Sequence, residues 1–138
     1  MILDRAAIAR LVPHAGAMCL LHEVLEADGE SIRARAVSHR DPAHPLREAE
    51  ALPALCGIEY AAQAMAVHGA MQEGRREHGM LAALRDVELA VERLDDIAKD
   101  LIVEVHCLLN ESGRLLYQFQ IKAGNRELLR GRATVVMT

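Results

Sequence analysis

Glu59 is the residue in this sequence best placed to do chemistry. It is the one charged group between Pro53 and Gln72, in a stretch rich in Ala, Met, Leu, Ile and Val. A carboxyl held among apolar neighbours resists ionisation, and a carboxyl still protonated near neutral pH is what a general acid requires. The alternative is a structural glutamate that meets an arginine or protrudes at an interface. Gln63 follows one helical turn later on the same face. It could orient Glu59, hydrogen-bond across a subunit seam, or be a buried amide satisfied by backbone. His44 lies upstream, beside Pro45. An imidazole there can act as a base if the chain folds it over the helix start, and is otherwise a solvated surface histidine. Cys56 falls in the first helical turn, where the helix dipole favours a thiolate; apolar surroundings oppose that and make an inert buried thiol the alternative.

These groups must be positioned by a helix that begins at Pro53, whose missing N–H costs nothing in a first turn, and runs to about Gln72, stopping near Gly74. Its apolar residues (Leu55, Ile58, Ala61, Ala62, Met65, Ala66, Val67) cover most of its circumference, which predicts a buried helix. Many are alanine, so neighbouring backbone can approach closely. Asp4 is placed to cap a short helix over Arg5 to Val12, ended by Pro13. Met18 to Ala27 and Ser31 to Ser38 read as strands joined at Asp28-Gly29. Residues His39 to Leu52, with Pro42 and Pro45, read as a long loop. Gly79 to Val91 is a further strand. Period-two alternation marks Leu101 to Leu109, Leu115 to Ile121 and the C-terminal strand. In the last of these, Gly131, Ala133, Val135 and Met137 oppose Arg130, Arg132 and Thr134. Asn110 to Gly113 and Gly124-Asn125 are hairpin turns. This order predicts one α+β domain over residues 1–138, an antiparallel sheet wrapped around one long central helix.

Composition narrows the function. The chain has 138 residues, 51% hydrophobic, enough for a real core. Aromatics make up 2% and the net charge is -4, which argues against a base-stacking or basic nucleic-acid surface. Cys19, Cys56 and Cys107 form no close pair, so no disulfide framework or zinc site is expected, and the expected compartment is reducing. Residues Met1 to Ala6 lack a signal-peptide pattern, and the apolar segment is broken by Glu59, Gln63 and His68, so a cytoplasmic protein without a membrane span is expected. No G-x-S-x-G elbow, phosphate-binding glycine loop or zinc-protease helix motif occurs.

Two segments carry a family resemblance. Leu11-Val-Pro-His-Ala-Gly-Ala-Met-Cys-Leu-Leu-His-Glu-Val24 resembles the opening of 3-hydroxyacyl-[acyl-carrier-protein] dehydratases, roughly L-P-H-R-x-P-F-L-L-x-D-x-V. Pro53-Ala-Leu-Cys-Gly-Ile-Glu-Tyr-Ala-Ala-Gln-Ala64 resembles their helix, roughly P-G-V-L-x-x-E-x-x-A-Q, with Pro53, Glu59, Ala62 and Gln63 in register. The wording of the second segment is closer still to the dehydratase-like proteins of aryl polyene gene clusters. The resemblance implies a hotdog fold and a homodimer or a heterodimer with another hotdog protein. It also implies an acyl carrier protein as partner and no cofactor beyond the substrate's phosphopantetheine. It makes Glu59 the acid and His44 the base in the dehydration of a 3-hydroxyacyl thioester, with amides of the helix start, Ala54 and Leu55, and Gln63 against the substrate. Arg75, Arg76, Arg130 and Arg132 then become candidates for the carrier or its phosphate, against solvated surface. The family's G-H-F-P is Ala43-His44-Pro45-Leu46 here, His44 stands one residue further from the helix glutamate, and the helix-start glycine is Ala54. A non-catalytic partner subunit and an acyl thioesterase are the alternative functions.

Overall fold

The computed structural model describes residues 2–12, 18–73 and 79–137. Helix α1 spans Arg5–Leu11, and the Asp4 carboxylate caps it by accepting the Ala7 N–H at 2.8 Å. Strands β1 (Glu23–Ala27) and β2 (Ser31–Ala36) form a hairpin. The Asp28 carboxylate closes its turn by accepting the N–H groups of Glu30 and Ser31, both at 2.8 Å. A 3₁₀ turn at Ala54–Cys56 leads into helix α2 (Gly57–Glu73). Strands β3 (Gly79–Leu89), β4 (Leu101–Glu111), β5 (Arg114–Ala123) and β6 (Arg126–Met137) follow.

The six strands make one antiparallel sheet in the order β1-β2-β4-β5-β6-β3. Its inner face supplies Ile32, Ala34, Val103, Val105, Tyr117, Phe119, Ile121, Leu129 and Ala133, all buried in one core with Ile58, Ala61, Ala64, Met65 and Val67 of α2. Small residues bring helix and sheet close. A Cβ on Gly57 would lie 2.7 Å from Leu129 Cδ2, so glycine is what lets the helix start press on the sheet. This is the hotdog arrangement that the sequence implied.

Three expectations need correction. The first strand begins at Glu23 rather than Met18: Gln63 of α2 holds Met18 and Leu20, and the pairing with β2 starts only at His22, whose N–H donates to Arg35 O at 2.8 Å. Leu109 does not share the inner face with Val105: a bulge between Cys107 and Leu109 shifts the alternation, and Leu109 is exposed. Helix α2 is not covered all round. Leu55 is 59% exposed, Glu59 and Ala66 are exposed, and Ala62 and Gly69 are half-buried.

The sheet's two edges differ. Residues 2 and 3 cover part of β1, with the Ile2 N–H on Val24 O at 2.8 Å and the Val24 N–H on Leu3 O at 2.9 Å. Among the described residues nothing pairs with the outer side of β3. That strand exposes Met80, Leu81, Leu84 and Leu89. An uncovered apolar edge is a ready surface for another chain.

The sheet's packing can be tested at Gly131, which lies opposite Phe119 on β5. A Cβ there would stand 2.7 Å from Phe119 Cζ and 3.0 Å from Val87 Cγ2. Gly131→Ala should therefore destabilise the fold by about 1–3 kcal/mol, because a rigid buried ring must move. Urea unfolding of the variant measures it.

Candidate functional site

The start of α2 is fixed by a short ladder to the segment after β3. The Leu94 N–H donates to Leu52 O at 2.8 Å and the Ala54 N–H to Glu92 O at 2.9 Å. The Leu52 N–H donates to the Asp95 carboxylate at 2.8 Å, and the Arg93 guanidinium beside Asp95 holds that carboxyl well below its usual range. The Ala54 amide is thus already engaged, while Leu55 projects into solvent.

The segment from Ser38 to Ala51 is ordered by its own contacts rather than a loose loop. Ser38–Arg40 form a 3₁₀ turn. Glu48 and Ala51 pair across a tight turn whose central residues, Ala49 and Glu50, have φ 47 and 71. Arg47 clamps this segment, donating to Asp41 O and Glu50 O at 2.9 Å each.

That segment carries His44 into the core. His44 is 5% exposed. Its Nδ1 accepts the Leu46 N–H at 3.1 Å, so in the neutral ring the proton sits on Nε2. Nε2 lies 3.0 Å from the Tyr60 hydroxyl, which lies 2.7 Å from Ser38 Oγ. The Ser38 hydroxyl donates to Leu20 O at 2.8 Å. Since that one hydrogen is committed to Leu20, Tyr60 must donate to Ser38 and accept from His44. The chain of donors therefore has a single direction: Leu46 N–H to His44, His44 to Tyr60, Tyr60 to Ser38, Ser38 to the Leu20 carbonyl. Burial pushes the Tyr60 hydroxyl up to about 12, against the smaller opposing effect of its bond to Ser38. Burial, reinforced by Arg47, pushes the His44 imidazole below its ordinary value. Both groups are held neutral, as the network requires.

Gln63 is equally committed. Its Oε1 accepts the Leu20 N–H at 2.9 Å and its Nε2 donates to Met18 O. It is a buried amide with both ends held by the backbone of the segment before β1. His68, one more turn along, donates from Nε2 to Asp28 O at 3.0 Å and takes the Tyr117 hydroxyl on Nδ1 at 2.9 Å. His39 is fully buried, with Nε2 3.0 Å from the carbonyls of both Ile97 and Lys99. Burial pushes its imidazole down as well. Cys56 is half-buried, and burial followed by the charges of Glu48 and Glu59 pushes its thiol up, away from reactivity.

Glu59 stands apart. It is exposed, on the bare face of α2, where burial was expected. The reason is geometric: the sheet wraps the other side of the helix, and the strand edge nearest this face has no neighbour. Arg130 pairs with Glu88 through Nη2 at 2.6 Å, and Arg132 is exposed. Arg75 and Arg76 lie outside the described residues, as do Pro13 to Ala17 of the opening motif. Among the described residues, no group of three or more His, Cys, Asp or Glu could hold a metal ion. None of their helices is long and apolar enough to cross a membrane. Sequence reasoning missed Ser38 and Tyr60, although a lone tyrosine in an alanine-rich buried helix signals a hydroxyl that must find a partner.

A long helix wrapped on one side by a six-stranded antiparallel sheet, with a carboxyl on its uncovered face, is a hotdog domain. A family model described as ApeP-like, ApeP dehydratase, matches residues 6–138. The chain belongs to the ApeP-like dehydratase family, dehydratase-like hotdog proteins of aryl polyene biosynthesis that act on acyl thioesters. Its structure is similar to the dehydratase heterocomplex ApeI:P from Xenorhabdus doucetiae, with a TM-score of 0.85 at 22% identity over 95% of this chain and 90% of that one. It is also similar to a putative thioesterase from Silicibacter, with a TM-score of 0.72 at 11% identity over 100% of this chain and 94% of that one. A thioesterase from Haemophilus influenzae aligns with a TM-score of 0.71 at 11% identity, over 100% and 92% of the two chains. No curated protein matches the chain.

Two measurements test this site. Tyr60→Phe leaves the His44 Nε2–H without its acceptor in the core and should cost about 1–3 kcal/mol, read as a lower urea midpoint. Acidification is the second. His39 and His44 bind protons less readily folded than unfolded, so the unfolded chain takes them up first as pH falls. The histidine contribution is fully present above the ordinary histidine range and is lost as pH drops through it. Unfolding free energy should therefore decline between about pH 7.5 and about pH 5.5, above the range where carboxylates titrate.

Proposed function

We propose that this chain is the acid-bearing subunit of a heterodimeric dehydratase for 3-hydroxyacyl thioesters carried on the phosphopantetheine arm of an acyl carrier protein. One observation carries the reading: both ring nitrogens of His44 are engaged inside the chain, while the Glu59 carboxyl has no partner among the described residues. Dehydration needs a base to take the C2 proton and an acid to protonate the departing C3 hydroxyl, giving the trans-2-enoyl thioester and water. A base needs a free lone pair within reach of the proton. His44 holds its lone pair on the Leu46 N–H and directs its proton to Tyr60, so its place in the catalytic pair passes to another subunit. A homodimer would bring two carboxylates and two anchored histidines. A related hotdog protein with a free histidine completes the pair.

The uncovered edge of β3 and the bare face of α2 supply the surface for such a partner. Pairing there continues the sheet from one subunit into the next and buries Glu59, and desolvation favours the protonated form that can donate. The amides of Ala54, Cys56 and Gly57 donate within the chain, so the Leu55 amide is the one at the helix start that this reading assigns to the thioester carbonyl. That the ApeI:P relative is a dehydratase heterocomplex supports the arrangement.

The test uses a carrier-bound 3-hydroxyacyl substrate with mass spectrometry of the products. The purified chain alone should give neither enoyl product nor hydrolysis. Together with a second hotdog protein that carries a free histidine, it should give the enoyl product. Glu59→Gln in the complex should lower the rate by at least about a hundredfold with assembly intact. His44→Gln should leave the rate per folded complex within a few-fold. Full activity of the chain alone, or loss of activity in a well-folded His44→Gln complex, would overturn the proposal. Free acid as the sole product would make the chain a thioesterase instead.

A further inference from the structure

Asp95 lies outside every strand and helix, yet its side chain is only 7% exposed. It is an anion: the Arg93 guanidinium beside it holds its carboxyl well below the usual range. One carboxylate oxygen accepts the Leu52 N–H at 2.8 Å and the Arg93 Nε–H at 3.0 Å, and the other takes Arg93 Nη2. Satisfying one backbone N–H does not call for a charge, because the oxygen of an asparagine or a serine accepts it as well. What the carboxylate adds is a two-pronged grip by Arg93, which fixes the plane of the acceptor.

The pair holds the approach to α2. Residues 52–54 run antiparallel to 92–94: the Leu94 N–H donates to Leu52 O at 2.8 Å, the Ala54 N–H to Glu92 O at 2.9 Å, and Pro53 bridges Arg93. The same segment continues from β3, and the Ala90 N–H ties it to Leu128 O of β6 at 2.8 Å. On the helix side, the Cys56 N–H donates to Pro53 O at 3.0 Å and the Gly57 N–H to the carbonyls of Ala54 and Leu55. Pro53 has no N–H. From residue 52 to residue 57, the Leu55 amide alone is left without a partner among the described residues. Its direction is set by the peptide plane that joins Ala54 to Leu55, and that plane hangs from the ladder. Arg93 also offsets the Asp95 charge. A bare carboxylate beside the helix start would oppose negative charge on any oxygen that accepts the Leu55 N–H.

On the reading given above, in which the Leu55 amide meets the thioester carbonyl, we propose that Asp95 and Arg93 are positioning residues. Together they aim the Leu55 N–H at the carbonyl oxygen, which gains negative charge as the C2 proton leaves for the base. A donor stabilises that charge when it stands about 2.7–3.1 Å from the oxygen, and a misplacement of about 1 Å can cost on the order of a hundredfold in rate. Neither residue touches the substrate. The pair acts through Leu52 and the ladder, and on the transition state more than on the bound substrate, because only the transition state carries the developing charge.

The experiment uses the complex with a second hotdog protein that carries a free histidine, and a carrier-bound 3-hydroxyacyl substrate. Asp95→Ala should lower kcat by more than about tenfold and leave KM within about threefold. Asp95→Asn keeps an acceptor for Leu52 but loses the two-pronged grip, and should fall between Asp95→Ala and wild type. The second readout is spectroscopic. With a trans-2-enoyl pantetheine thioester bound, labelled with carbon-13 at its carbonyl, the infrared C=O stretch should lie lower in wild type than in Asp95→Ala. A loss of stability alone would not move that stretch in folded complex. Arg93→Leu removes a half-exposed side chain and should lower kcat in the same direction, which keeps the test decisive if Asp95→Ala folds poorly. Unchanged kcat and an unchanged stretch in both variants would overturn the proposal, and so would a loss confined to KM. If the wild-type complex dehydrates nothing, the catalytic reading fails separately, and the ladder is then judged on the chain alone. Hydrogen exchange at the Ala54 and Cys56 amides should speed up at least about tenfold in Asp95→Ala while amides of β4 stay unchanged. Equal exchange in the two proteins would show that Asp95 does not hold the helix start.

Discussion

The buried polar side chains of α2 hold the N-terminal half of the molecule in place. A helix inside a hydrophobic core can carry Tyr60, Gln63 and His68 only if each finds a hydrogen-bond partner. All three find it in backbone, directly or through one serine. Tyr60 reaches Leu20 O through Ser38, Gln63 takes Leu20 N–H and Met18 O, and His68 takes Asp28 O. The segment before β1 and the β1–β2 turn are thereby fixed to the helix, although residues 18–22 are not part of a strand. The same chain of donors draws His44 inward and sets the course of the segment from Ser38 to Ala51.

This has a functional consequence, because a histidine cannot both anchor a loop through both ring nitrogens and accept a proton from a substrate. The protein has the family's carboxylate in register and a histidine close to the family's position, yet the two are in different states. One is locked in the core of its own subunit; the other stands on a face that the subunit leaves open. The division follows from how the sheet curls. It encloses the side of α2 that bears Ala61, Ala64 and Val67 and ends at β3, leaving Leu55, Glu59 and Ala66 uncovered. On the proposed function, a carboxyl on an open helix face, beside an apolar strand edge, is half of a site.

Much of the fold was legible in the sequence. Period-two patterning located β4, β5 and β6, and the Asp4 cap placed α1 within a residue, while Pro53 marked the 3₁₀ turn that leads into α2 rather than the helix start at Gly57. The alternation failed at Leu109 because a bulge is a property of strand pairing, not of one strand's own residues. It failed at β1 because Cys19, Leu20 and Leu21 are buried by packing on α2 rather than by alternation. At the site, sequence identified Glu59 but misjudged its exposure, since helical periodicity cannot say which side a sheet will leave bare. Gln63 was left among three readings, and its two backbone partners, more than forty residues away, decide it. His44 was unresolvable from spacing alone. Its role rests on Tyr60 and Ser38, whose hydroxyls converge only after the chain has folded.

On the proposed function this chain supplies the acid and not the base, and the protonation of His44 tests that division most directly. Nitrogen-15 NMR of the histidine rings, recorded on the chain alone and then with its hotdog partner, reports the tautomer and its titration. The account predicts a neutral His44 ring with the proton on Nε2 at neutral pH, resisting protonation below the ordinary histidine range and unchanged when the partner is added. A ring that switches to the Nδ1–H form on partner binding, freeing Nε2 as a lone pair toward the Glu59 face, would contradict it and return His44 to the role of base.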